Sequence, residues 1–166
     1  RECVRLAREE QRIVVFLEPI ALYTMRDLHT ADDGLWMTTY PDRDERLSLG
    51  EIGVHGDGTD LAIVTYGNGT YLSRQAQKDL GECGVEARVI DLRWLAPLPA
   101  SALREHTQAY KRILIVDECR RTGGQAEALM TLLHEDGVQD VRRITADDSF
   151  IATGTAYAAT LPSRKG

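Results

Sequence analysis

A chain of 166 residues with 43% hydrophobic and 28% charged side chains has the balance of a soluble globular protein and material for one ordinary core, not two. Its formal net charge of -6 argues against a general binder of nucleic acid or anionic membrane, which needs a basic face to neutralise phosphate. No apolar run is long enough to span a bilayer, and Cys3, Cys83 and Cys119, with no C-x-x-C pair, suggest neither a disulfide framework nor a zinc site. Reduced thiols in a cytoplasmic protein are the simplest expectation.

The chain opens at Arg1, without methionine and already in helical register. In RECVRLAREEQ, Val4, Leu6 and Ala7 supply apolar groups while Arg8, Glu9 and Glu10 suit water. Such a start predicts a piece of a longer polypeptide. Residues 13–17 follow, β-branched and aromatic enough to predict a buried strand that ends near Glu18 and Pro19. Residues 24–58 then lose all periodicity; a structureless stretch of that length predicts an inter-domain crossover, with Trp36 and Tyr40 pinning it to a neighbouring surface. From residue 59 the pattern is regular. Strands are predicted at 61–66, 86–92, 112–118 and 138–145, and helices at 71–83, 100–110 and 125–134, before an irregular tail rich in small residues. Strands separated by single helices require crossover connections, so the predicted fold is three-layer α/β/α with a mainly parallel sheet.

In such a sheet the loops after the strands gather at the carboxyl edge, where ligands usually bind. Four loops land there: YGNGT, DLRWLAPLP, DECRRTGG and TADDSF. Gly67 and Gly69 lack the third glycine of a dinucleotide fingerprint and the lysine of a P-loop, so they predict a tight turn rather than an anion site. His29 with Asp32 and Asp33 predicts a solvated loop rather than a metal centre. Cys119 lies beside arginines that would lower its thiol pKa, yet a small residue closing a strand suffices to explain it. The remaining signal is charge at one edge: Asp91, Arg93, Asp117, Glu118, Arg120 and Arg121, followed by the close-packing pair Gly123 and Gly124. Carboxylates and planar guanidinium groups brought together this way predict an ion-pair network and a docking surface, with no catalytic or metal-binding residue assigned.

These same stretches carry a resemblance. VIDLRWLAPL and ILIVDECRRTGG resemble, in order and spacing, the D-L-R-T-L-x-P-L and V-V-V-D-E-x-x-R-T-G-G patterns of the beta subunit of the thiamine-dependent decarboxylase component of 2-oxo acid dehydrogenase complexes. LAIVTYGNGT and VVFLEPIALY are similar to two further segments of that family. The resemblance implies that residues 1–27 are the end of a pyrimidine-binding domain, 28–58 an interdomain linker, and 59–166 a transketolase-like C-terminal domain. It implies an intact enzyme that uses thiamine diphosphate and magnesium, neither held by this part of the chain. HGDG at His55 to Gly58 is similar to the start of the family's diphosphate motif, but the one asparagine, Asn68, is too close in sequence to complete it. Implied partners are the remaining domains or alpha subunit, a second copy of the chain, and the lipoyl acyltransferase core, with assembly and docking falling to Asp91, Arg93, Asp117, Glu118, Arg121, Gly123 and Gly124. Open alternatives are the matching domain of a transketolase or deoxyxylulose-phosphate synthase, and a free-standing assembly module.

Overall fold

The computed structural model describes residues 1–150 together with 159, 161 and 162; the rest of the predicted small-residue tail lies outside them. Helix α1 (Glu2–Glu9) and one 3-10 turn (Ile20–Leu22) come first. The sheet consists of β1 (Gly53–His55), β2 (Leu61–Thr65), β3 (Ala87–Asp91), β4 (Arg112–Arg120) and β5 (Asp140–Ala146), connected through α2 (Asn68–Glu82), α3 (Ala100–Thr107) and α4 (Gln125–Glu135). Its order is β1-β3-β2-β4-β5, parallel throughout except for β1, which runs antiparallel to β3.

Strand order explains the layers. The chain steps outward from β2 to β3, then crosses back over β2 to reach β4. Right-handed crossovers in opposite directions place their helices on opposite faces. Ala62, Val64, Ile90, Ile113 and Ile115 accordingly pack on Leu103 of α3 and on Leu129 and Leu133 of α4. The alternate residues Ile63, Val89 and Val116 pack on the other side, with Leu80 of α2. This is the three-layer α/β/α arrangement predicted, and period-two alternation along each strand generates it.

The opening helix forms as expected in α1, but the rest of the first 52 residues does not form the elements its composition suggests. Residues 13–17 belong to no helix or strand, and Ile13 is 99% exposed with Val15, Phe16, Leu17 and Ile20 nearly as open. A β-branched run only becomes a strand where a neighbour can take its amides and carbonyls, and none of the described elements pairs with it. The sheet itself begins inside the stretch read as a crossover, because Gly53–His55 pairs with β3. The crossover runs down the outer side of α2. Pro19 sits against Gly67, Tyr71 donates its hydroxyl to the Asp27 carbonyl at 3.0 Å, and Gln75 donates to the Leu28 carbonyl at 2.7 Å. Trp36 stands edge-on to Tyr71 at 5.0 Å and so fastens this segment as predicted, whereas Tyr40 stays exposed beneath the Arg1 guanidinium.

Two glycines measure how closely these parts fit. A methyl group at Gly58 would fall on the Glu86 carbonyl and the Ala87 amide, while one at Gly81, inside α2, would meet nothing within 4 Å. Backbone cannot move aside as a side-chain tip can. Gly58→Ala is therefore expected to destabilise the fold by roughly 1–3 kcal/mol, and Gly81→Ala to stabilise it by up to about 1 kcal/mol through helix propensity. Urea unfolding of both variants checks the pair.

Candidate functional site

β4 lies inside the sheet between β2 and β5, and its carboxyl end carries two acids in succession. Successive strand residues point to opposite faces. Asp117 therefore turns towards α4 and Glu118 towards α2. Asp117 is 1% exposed. Its Oδ1 accepts from the Tyr66 hydroxyl at 2.6 Å and the Cys119 amide at 2.8 Å, and its Oδ2 accepts from the Ala126 amide at 2.9 Å in the first turn of α4. That turn has no cap of its own, since its N-cap residue is Gly124. The carboxylate from the strand takes the place that an Asp or Ser cap would otherwise fill.

The glycine pair makes the approach possible. A Cβ on Gly124 would lie 2.9 Å from the Arg120 carbonyl oxygen and 3.3 Å from Asp117 Oδ2, and Gly123 holds a φ of +73°. On the other face Asn68, the first residue of α2, donates Nδ2 to Glu118 Oε1 at 3.2 Å. Burial pushes the Glu118 carboxyl above its usual range; the Asn68 bond offsets this only in part, and the Asp117 charge adds to it. Next to it, Thr65 donates its hydroxyl to the Val116 carbonyl at 2.9 Å, with Gly69 pressed so close that any side chain there would collide with Thr65 Oγ1.

The other predicted residues are held separately. Asp91 accepts the Thr70 hydroxyl at 2.9 Å, again in the first turn of α2. Arg93 reaches back over Gly53 and meets Glu51 at 3.5 Å. Arg121 is exposed and contributes its carbonyl to Arg143 Nη1 at 3.1 Å. Among the described residues no arginine pairs with Asp91, Asp117 or Glu118, so the predicted acid–arginine network is replaced by acids turned inward onto amides, an amide side chain and hydroxyls. Desolvation decides this outcome. A carboxylate gains more from several short bonds inside the fold than from a solvated guanidinium, which contributes little at a surface.

The four loops are nevertheless tied to one another. Tyr66 bridges the first to the third, Gln125 Nε2 donates to the Leu95 carbonyl at 2.7 Å, and Thr122 donates its amide and hydroxyl to Asp148 at 2.8 and 2.6 Å. Those two bonds hold the Asp148 carboxyl below its usual range. Tyr66 and Asn68 carry no motif that singles them out in the sequence, although a hydroxyl and an amide closing the strand beside DE are the donors two buried acids need. Burial, then the bonds to Asp117 and Cys119, push the Tyr66 phenol far above its usual pKa, which keeps it a neutral donor. Cys119 Sγ lies 3.5 Å from that hydroxyl and makes no other hydrogen bond among the described residues. The edge is built for holding loops in register.

The remaining motifs resolve as turns. Asp33 accepts the amides of Leu28, His29, Thr30 and Leu35; desolvation works against its charge, but these bonds prevail and hold the carboxyl well below its usual range. Asp57 is exposed in the turn between β1 and β2, while Asn68 lies at the opposite end of β2 and bonds Glu118. This pair does not fit a magnesium diphosphate site. Among the described residues no cluster of three acidic, histidine or cysteine side chains is placed to hold a metal ion, and no helix is long and apolar enough to cross a membrane.

The family model for the transketolase C-terminal domain matches residues 50–165. The beta subunit of the pyruvate dehydrogenase E1 component of Bacillus subtilis is 28% identical over 156 residues, which cover 92% of this chain and 45% of that protein. An apulose-4-phosphate transketolase subunit of Phocaeicola vulgatus is 33% identical over 118 residues, 71% of this chain and 38% of that one. Among solved structures, a split-gene transketolase described as an inactive beta4 tetramer aligns with a TM-score of 0.60 at 27% identity, covering 68% of this chain and 38% of its own. The chain thus spans less than half the length of these relatives.

Removing the Asp117 carboxylate strands two amides and a hydroxyl, so Asp117→Ala is expected to destabilise the fold by about 3 kcal/mol or more, read as a fall in the urea midpoint. Glu118 acts in the opposite sense. Its folded pKa is raised, so the native state binds the proton more tightly than the unfolded chain, and stability falls as pH rises through the folded value. Glu118→Gln, which retains an acceptor for Asn68, should be more stable than the parent at pH 7 by up to about 1 kcal/mol, with the difference vanishing near pH 4. Unfolding curves across that interval give the comparison.

Proposed function

The chain belongs to the transketolase C-terminal domain family, and on that premise we propose that it is the C-terminal part of the decarboxylase component of a 2-oxo acid dehydrogenase complex. The whole enzyme would decarboxylate a 2-oxo acid on thiamine diphosphate with magnesium and pass the acyl group to a lipoyl arm. This part supports subunit assembly and docking. The likeness to a pyruvate dehydrogenase E1 beta subunit along 92% of the chain supports the dehydrogenase branch. Transketolase, supported by the second relative and the aligned structure, is the alternative.

The observation that carries the assembly role is the open run of Ile13, Val15, Phe16, Leu17 and Ile20 beside Pro19, which rests on the carboxyl edge at Gly67. A segment outside every ladder, with apolar side chains gathered along it, is a surface awaiting cover. In this reading residues 1–27 complete a pyrimidine-binding domain, 28–58 are the linker, and the rest is the C-terminal domain. Asp91, Arg93, Asp117, Glu118, Arg121, Gly123 and Gly124 shape the docking edge, the buried acids by setting its loops and the exposed arginines by meeting a partner. Partners are the other domains or alpha subunit, a second copy, and the acyltransferase core. The free cysteines suit the reducing cytoplasm.

Purified with the subunits it associates with in its host, the protein should support 2-oxo-acid-dependent reduction of an artificial electron acceptor. Transfer of a two-carbon unit from a ketose phosphate instead would move it to the transketolase branch. The 166-residue chain by itself should give no heat with thiamine diphosphate in calorimetry; stoichiometric micromolar binding would overturn the placement of the cofactor elsewhere. In sedimentation the chain alone should self-associate, and Phe16→Asp with Ile20→Glu should weaken association at least tenfold. A monodisperse monomer before any substitution counts against the assembly surface.

A further inference from the structure

At the amino edge of the sheet, on the opposite end of α2 from the acids described above, a cleft of about 360 Å³ opens between the 56–58 turn and the helix. Arg74, Gln77 and Lys78 of α2 form one wall, and His29 of the crossover closes it. The unusual member is Arg74. It is half-buried, its one resolved influence is desolvation, which lowers its pKa, and no carboxylate pairs with it among the described residues. Its neighbour is the Trp36 ring, 5.4 Å from the guanidinium carbon. The ring gives a cation–π attraction but no formal counter-charge, so the partly desolvated cation is only partly compensated.

Two further features share the space. His29 lines the cleft, and its Nδ1, sealed behind the ring, has no hydrogen-bond partner among the described residues. Lys78 is only 4.0 Å from Glu82, a loose pair that leaves its ammonium able to swing into the cleft. Gln77 is already committed, donating to the His55 and Ala87 carbonyls at 3.1 and 2.7 Å, and it props the glycine turn open against the helix. The acids that line the cleft, Asp57 and Glu86, are exposed to solvent, where screening weakens them. The Arg74 charge is felt nearby: after burial, it is the main influence that holds the His55 imidazole below its usual pKa, against the opposing charge of Asp91.

We propose that this cleft binds a small phosphorylated ligand, with Arg74 as the principal anchor and Lys78 as a second cation, beside the wall that His29 forms. A phosphate offers two oxygens that the planar guanidinium fork can engage together, and it supplies a formal counter-charge that the Trp36 ring does not. The site is independent of the carboxyl edge and of the assembly role assigned there.

The test is a titration of the isotopically labelled chain with inorganic phosphate and, separately, pyrophosphate, at constant ionic strength set with sodium chloride, followed by amide and imidazole shifts. Saturable shifts confined to His29, the 56–58 turn and residues 74–78, with millimolar or tighter dissociation, are expected. Arg74→Met should weaken binding at least tenfold and Lys78→Gln about threefold. Arg142→Met, an exposed arginine on β5, should leave it unchanged. Linear shifts spread over all surface cations, or binding that survives both Arg74→Met and Lys78→Gln, would overturn the site. If Arg74→Met fails to fold, the Lys78→Gln comparison and the location of the shifts decide.

Discussion

A buried carboxylate at the end of a central strand organises this domain. Asp117 joins three separate pieces of chain through one side chain: the end of β2 through Tyr66, its own strand's last turn through Cys119, and the start of α4 through Ala126. Glu118, one residue later, does a lesser version of the same on the reverse face through Asn68. The alternation of a β-strand turns an adjacent pair of acids into two opposed clamps, one per helix layer. Helices α2 and α4 each begin without a side-chain cap of their own, and each has an acid from β4 at its first turn instead. The glycines at Gly69 and Gly124 follow from that arrangement, because a helix start can only lean on a strand if nothing stands between them.

This arrangement explains why the edge is rich in ionisable groups yet poor in chemistry. The acids are consumed by internal bonds, the phenol is kept neutral, and among the described residues the thiol bonds only that phenol. What faces outward is arginine and open apolar chain. In the assembly role proposed above, such a division, rigid acids within and adaptable cations without, would suit an interface: loops that hold their shape beforehand, and long side chains that adjust on contact.

Much of the sheet can be read from residues alone because β2, β3 and β4 hold short apolar runs, and its helices follow at regular intervals. The failures have physical causes. The run at 13–17 has strand composition, but composition reports only an ability to be covered, and the covering strand must come from elsewhere. Gly53–His55 escapes notice since three residues carry no period, and its place in the sheet depends on pairing with β3, far along the sequence. Opposite charges near one another in sequence suggest ion pairs, while alternation and burial send the acids inward. The cleft at Arg74 is beyond reach of any motif, being assembled from a crossover residue, a turn and a helix face.

The antiparallel sense of β1 has a consequence for how the molecule is strung together. Gly53 lies beside Asp91 and His55 beside Val89, so the chain enters the sheet at its carboxyl edge and leaves at the other. Everything before Gly53 is thereby leashed to the edge where α2 and α4 begin. A leash of this kind holds its cargo at an effective concentration on the order of millimolar. The contacts that seat the early segment, Pro19 on Gly67 and Asp27 on Tyr71, can then be individually feeble and still be occupied most of the time.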